Sequence, residues 1–321
     1  MLAWREVNLD DARAESLVHR RGTVPGVIVV GSRGADAYVA LVTSPDDVMR
    51  VPGSGAAPVW SATEPEFDVE YTCGSPPGWE PDAERVAEFI ITDSLDDPVV
   101  RAWITCGDED PCMLTWGRSG RLFAYEPGHE DPIPGPSVVG AVDQVVVTGV
   151  DIGLVVVGPV SDRVDDDNRL QGWRFANGTW TRLGLAEPPD EFTDGFTALE
   201  PVLAGHRAGM PALFSHTGGP LPSPRVELDP THPRVSVAHV EGPLFGSDAP
   251  GWDGRVHLAV QGREGIQLWL QHAGGWTMLP GPVGTLQSAR FSPDGGATWC
   301  VADHRLWHAD LGAVRNALGI G

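Results

Sequence analysis

The side chains with chemical potential in this sequence are charged, and they come in short clusters. Arg33 and Asp36 stand in residues 31–37, and Asp108, Glu109 and Asp110 in 106–112. Asp162, Asp165, Asp166 and Asp167 follow in 158–170, then His206 and Arg207 in 204–211. Arg263 and Glu264 lie in 261–265, and Asp303 and His304 in 302–305. Two carboxylates held about 5–10 Å apart can hydrolyse a glycosidic bond, but spacing in a sequence sets no such distance, so no catalytic residue is assigned. The stretch DRVDDDN, from Asp162 to Asn168, is rich in oxygen ligands, yet it lacks the glycine and terminal glutamate of an EF-hand loop. It reads as a solvated acidic loop. His304 and His308 are spaced i, i+4 on one side of an expected strand, with no third ligand, so no metal site is assigned. No phosphate loop, nucleophile elbow or HExxH motif occurs, and Gly34, Gly53 and Gly55 read as turn or loop residues. The charged clusters are therefore read as a binding surface with no cofactor.

What must position them is a repeat. In LQGWRFANGTWTRL, Trp173 and Trp180 are seven residues apart, with Gly178 two before the second. LWLQHAGGWTML repeats this with Trp269, Trp276 and Gly274. Weaker copies keep the interval at Val42 and Met49, Trp116 and Phe123, and Phe214 and Leu221. Each anchor follows an apolar or alternating run, such as residues 26–31, 154–158 and 256–260. Strand, loop, strand, tight turn and strand, repeated, predict an all-β, six-bladed β-propeller. Val42 and Trp116 stand 74 residues apart, and a seventh blade in that interval is the alternative. Single-blade spacing would place the Trp anchors in the core or between blades.

The expected organisation is one domain over residues 1–321. Residues 286–291, 297–302 and 305–310 read as three strands without a fourth. Residues 1–9, with a strand over 3–9, are expected to pair with 305–310 and close the ring, which removes the open edge of the last blade. Residues 10–17 are expected to add a helical turn. Residues 53–88 read as an irregular, proline-rich insertion with a helical turn over 81–88, and 312–321 as a tail with a short helix. In a propeller the loops between second and third strands emerge on one face beside the channel, which would gather the charged clusters.

Composition limits the partners. The 321 residues carry a formal charge of −22, which repels phosphate backbones and anionic lipid, so nucleic acid and membrane surfaces are disfavoured. A basic protein partner suits such a field. The first residues, MLAWREVNLDDARAES, lack a basic segment followed by an apolar one, and no apolar run approaches the ~20 residues of a membrane helix. The expected location is cytoplasmic, with the four cysteines reduced. In an exported chain Cys106 and Cys112 would be placed to close a small disulfide.

One stretch carries a resemblance. Residues 292–299, SPDGGATW, match the Asp-box pattern Ser-x-Asp-x-Gly-x-Thr-Trp, and TSPDDVMRV at 43–51 looks like a degraded second copy. The chain thus resembles sialidase-like propellers, in which the box stabilises a turn between third and fourth strands. An SPDG turn between first and second strands, where the repeat puts it, resembles WD-repeat and TolB-like propellers instead. A sialidase-like enzyme would carry an arginine cluster, a tyrosine–glutamate pair and an acid/base aspartate. The tyrosines here are Tyr38, Tyr71 and Tyr125, and Tyr125 and Glu126 are adjacent, so on a strand they face opposite sides. The expectation is a non-enzymatic scaffold that binds a protein through its channel-mouth loops. A carbohydrate-active or other hydrolytic propeller is the alternative, and a lectin using Trp79 or Trp252 is the third.

The 22 basic residues are all arginine. An amine-reactive ester should therefore attach at most one label per chain, at the N-terminal amine, and intact mass measurement checks this.

Overall fold

The computed structural model describes residues 2–19, 26–34, 36–50, 68–71, 99–106, 111–117, 119–125, 133–137, 142–148, 152–157, 171–176, 178–182, 189–196, 202–215, 218–241, 255–292 and 295–320. These are nearly all strand. β1 (Arg5–Val7) comes first, and β2 (Arg13–His19), β3 (Val27–Arg33), β4 (Asp36–Ser44) and β5 (Asp47–Arg50) form one antiparallel sheet in chain order. β6 (Asp68–Tyr71), β7 (Val99–Cys106), β8 (Pro111–Gly117), β9 (Arg121–Tyr125) and β10 (Ile133–Ser137) form a second, in which β6 runs parallel to β7. β11 (Val142–Thr148), β12 (Ile152–Val157), β13 (Gln171–Ala176) and β14 (Thr179–Arg182) form a third. β15 (Glu191–Phe196), β16 (Val202–Arg207), β17 (Met210–Ser215) and β18 (Pro220–Leu221) form a fourth, and β19 (Val235–Glu241), β20 (Arg255–Gly262), β21 (Gly265–His272) and β22 (Gly275–Pro280) a fifth. β23 (Leu286–Phe291), β24 (Ala297–Ala302) and β25 (Arg305–Asp310) make the sixth with β1 beyond β25, and α1 (Gly312–Leu318) follows.

The chain divides into two compact units. One comprises Met1–Ala57 with Pro189–Gly321 and holds four sheets; the other, Pro58–Pro188, holds two. In the first unit β1 pairs antiparallel with β25, with Arg5 opposite His308 and Val7 opposite Leu306. Residues 13–17 are strand in β2, not the expected helical turn, because their alternation buries Ala14 and Leu17 while Arg13, Glu15 and Ser16 face out. Asp68–Tyr71, inside the stretch expected to be irregular, is strand β6, and the expected helical turn over 81–88 lies outside the described residues.

The core of the first unit lies between sheets. On β24, Trp299 and Val301 join a cluster with Leu17, Val29 and Ala40, while Cys300 and Ala302 join another with Ala259, Leu268 and Leu286. On β20, Val256, Leu258 and Val260 pack with Val235 and Leu213, and Ala259 faces the other way. Second strands thus bury both faces, which is why they read as unbroken apolar runs. The Trp anchors sit farther out. Trp269 and Trp276 on β21 and β22 are half-buried against the aliphatic cluster, and among the described residues Trp299 is the largest fully buried side chain. First strands carry β-bulges, at Glu15 in β2 and Thr193 in β15. Opposite them a Cβ on Gly31 or Gly205 would lie 1.9 or 2.1 Å from a first-strand carbonyl oxygen, so only glycine fits.

β2, β15, β19 and β23 are edge strands, and their outward N–H and C=O groups need partners. Side chains of neighbouring first strands supply them. Thr193 Oγ1 donates to the Val235 carbonyl (2.7 Å) and accepts its N–H (3.1 Å). Asp194 Oδ2 accepts the Val237 N–H at 2.9 Å, and Arg290 Nη1 donates to the Val237 carbonyl at 3.0 Å. Ser236 Oγ accepts the Ala289 N–H, and Ser288 Oγ accepts the Leu17 N–H. Arg290 and Asp194 form a buried bidentate pair at 2.7 and 2.9 Å, to which Ser236 adds a hydroxyl at 2.5 Å. Burial alone would raise the Asp194 carboxyl, but the charge and hydrogen bonds of Arg290, the Ser236 hydroxyl and nearby Arg234 together hold it below the ordinary carboxylate value.

Asp194→Ala should leave a buried guanidinium without its counter-charge and cost about 3–5 kcal/mol in urea unfolding. Ser236→Ala should cost about 1–3 kcal/mol. Because the folded pKa of Asp194 is depressed, its stabilisation is complete at neutral pH and is lost as pH falls below about 4. Asp194→Asn should flatten that acid limb.

Candidate functional site

Four turns join second to third strands in the first unit, with Gly34 after β3, Ala208 and Gly209 after β16, Arg263 and Glu264 after β20, and Asp303 and His304 after β24. A belt of hydrogen bonds ties them to the segments entering the first strands. Arg33 Nη2 donates to the Leu9 carbonyl at 3.3 Å. The Ala14 N–H donates to the His304 carbonyl at 2.9 Å. Gln287 Oε1 accepts the His304 N–H at 2.7 Å, and Arg234 Nε donates to the Gln287 carbonyl at 3.1 Å. Gln261 accepts the Leu286 N–H through Oε1 at 2.8 Å, and its backbone bonds to Arg234 and Asp229. The Leu228 N–H reaches the Gly209 carbonyl at 2.9 Å. Arg33, His206, Arg207, Arg263, Glu264, Asp303 and His304 therefore stand on one edge of this unit.

An open cleft of about 430 Å³ is lined by residues that include Glu6, Asn8, Asp11, Arg13, Asp303, His304 and Arg305. Two tight turns build it. Asp303 and His304 have φ of 48° and 62°, and Asp10 and Asp11 have 52° and 67°, the second turn closed by the Ala12 N–H donating to the Leu9 carbonyl. Aspartate tolerates this left-handed region better than most residues, and a turn of this kind lifts its carboxylate into solvent. Asp303 Oδ1 accepts the Thr285 N–H at 3.0 Å, which holds its carboxylate at the rim.

The other sequence-nominated residues are placed as follows. Arg33 lies 3.8 Å from the Asp10 carboxylate, with its guanidinium 5.4 Å from the Tyr38 ring centre. Asp36 opens β4 opposite Arg33. His206 sits between two carboxylates, Glu191 at 3.3 Å and Asp190 at 3.8 Å. Arg263 pairs with Glu227 at 3.2 Å in the open, and Arg207 and Glu264 are exposed. Asp108, Glu109, Asp110, Asp165, Asp166 and Asp167 lie outside the described residues, as do Trp79 and Trp252.

The histidine expectation changes. His304 is not on the strand that carries His308; it occupies the turn, where Gln287 and the Ala14 carbonyl hold its ring. His308 packs its ring 4.4 Å from that of Trp299, and burial lowers its pKa, so the two histidines share no ligand face. Cys300 is a free thiol, fully buried, and desolvation raises its pKa. Ser292, Gly295 and Gly296 lie between β23 and β24, the first and second strands of their sheet, with Ser292 Oγ accepting the Ala297 N–H at 2.9 Å. Gln261, Gln287 and Arg234, which organise the belt, went unnoticed in the sequence. Each is a polar residue at or beside a strand terminus: Arg234 just before β19, Gln287 second in β23 and Gln261 next to last in β20.

No family model matches the sequence, and no curated protein matches it. The fold is similar to that of YCF48 from Cyanidioschyzon merolae over 96% of this chain and 98% of the other, with a TM-score of 0.40 and 11% identity. A likeness that slight carries no function. No helix among the described residues is long and apolar enough to cross a membrane.

Gln287→Ala removes the acceptor of the His304 N–H and a contact to its ring. It should cost about 1–3 kcal/mol in thermal or urea unfolding, with the fold retained.

Proposed function

We propose that the six sheets are the blades of one β-propeller and that the protein is a non-enzymatic scaffold binding a basic protein partner through its second-to-third-strand turns. The observation that carries this reading is the belt. It presents Glu264 and Asp303 outward on these turns, with Asp11 on the adjoining β1–β2 turn, while Arg33, Arg263 and Arg305 are engaged by Asp10, Glu227 and Glu6. Beside the exposed Arg207, the side chains these turns offer a partner are mostly carboxylates, in a chain of formal charge −22. Each exposed ion pair contributes about 0.2–1 kcal/mol, so affinity would come from several acting together.

An arginine-rich peptide should bind at low ionic strength and weaken as salt rises. The triple variant Asp11→Asn, Glu264→Gln, Asp303→Asn should weaken it on the order of tenfold. Asparagine also tolerates left-handed backbone, so the turns should persist. Equal binding by the variant would sink the reading. A glycan array and a hydrolase panel should both be silent, and turnover of a glycoside would favour the hydrolytic alternative.

A further inference from the structure

The segment formed by residues 2–9 is attached at a strained hinge. β1 meets β25 over three residue pairs, Arg5 to Val7 against His308 to Leu306. Its side chains anchor on both faces of the sheet: Leu2 and Trp4 pack against one apolar cluster, Val7 and Leu9 within the other. Arg5 adds a two-pronged pair to Asp46 in the β4–β5 turn, one prong at 2.9 Å and the other to Asp46 Oδ1. The return into β2 depends on Asp10 and Asp11, both left-handed and neither a glycine.

An extended hinge relieves both residues. Every contact of residues 2–9 is then available, unchanged, on a second copy of the chain, because the receiving surface is the same. A short hinge under strain, between an element and the body it completes, is the arrangement that favours exchange between identical chains. We propose that residues 2–9 are exchanged between two copies of this protein, each β1 adding to the partner's β25, to give a reciprocal dimer in equilibrium with the closed monomer. The dimer gains relief at Asp10 and Asp11 and loses the independence of two chains, so concentration sets the balance.

The Arg5–Asp46 pair supplies the test, since both side chains are exposed and replacing them leaves the core intact. Full-length Arg5→Glu and Asp46→Arg chains are unfolded together, refolded at high concentration and weighed by native mass spectrometry. In an exchanged heterodimer both charge pairs are attractive, whereas either homodimer or closed monomer sets like charges together. The expected result is a heterodimer in excess of the two homodimers combined. A statistical mixture, or monomer alone, overturns the proposal. Wild-type protein refolded alone should show a dimer fraction that Asp10→Gly with Asp11→Gly lowers on the order of fivefold or more, since glycine removes the strain of the closed turn. A dimer fraction indifferent to the glycines also overturns it.

Discussion

An edge strand cannot leave its outward N–H and C=O groups unmet beneath a packed surface, and the first unit meets this constraint with side chains. No further strand covers β19. Thr193 and Asp194 from one neighbour and Arg290 from the other satisfy Val235 and Val237. The same device recurs where Ser236 serves Ala289 and Ser288 serves Leu17. The bidentate Asp194–Arg290 pair is therefore more than an ion pair in a dry place. Each partner also holds a backbone group, so the geometry that lets the charges coexist is the geometry that aligns the strands. With the first strands aligned, the turns at the ends of the second strands fall on one edge.

Much of this was legible because the signals were local. Leu286–Phe291, Ala297–Ala302 and Arg305–Asp310 occur as strands with the boundaries their apolar runs and turns suggested. The pairing of β1 with β25 was readable from a repeat lacking one strand. Residues 10–17 misled because Asp and Ala resemble a helix start; burial of Ala14 and Leu17 against other sheets, which no local rule contains, decides for strand. The Trp repeat marked the third and fourth strands, where Trp269 and Trp276 pack half-buried against the aliphatic cluster. Third strands supply Ala40, Leu213 and Leu268 to the buried aliphatic clusters, while the fourth strands β5, β18 and β22 add only partly buried side chains such as Val48, Leu221 and Leu279.

The site was legible in part. Turn positions followed from strand boundaries, so Asp303, His304, Arg263 and Glu264 were found where the loops had to be. An i, i+4 spacing places His304 and His308 on one strand face only if the strand includes both, and β25 begins at Arg305. Asp194, Ser236 and Arg290 are each a polar residue inside an otherwise largely apolar strand, EFTDGF, VSVAHVE and LQSARF. Read one at a time they look like tolerated exceptions. Their partners lie 42 to 96 residues away, and only the packed first strands bring them together.

The two-faced burial of β24 makes the last sheet a shared wall. Trp299 and Val301 close one apolar compartment, and Cys300 and Ala302 close the next. Losing that sheet would open both compartments at once, and the sheet alone would expose both of its sides to water. Neighbouring sheets of this unit are therefore bound to melt as a block, the cohesion passing from wall to wall, so partial unfolding that spares the flanking cores is a poorly populated route.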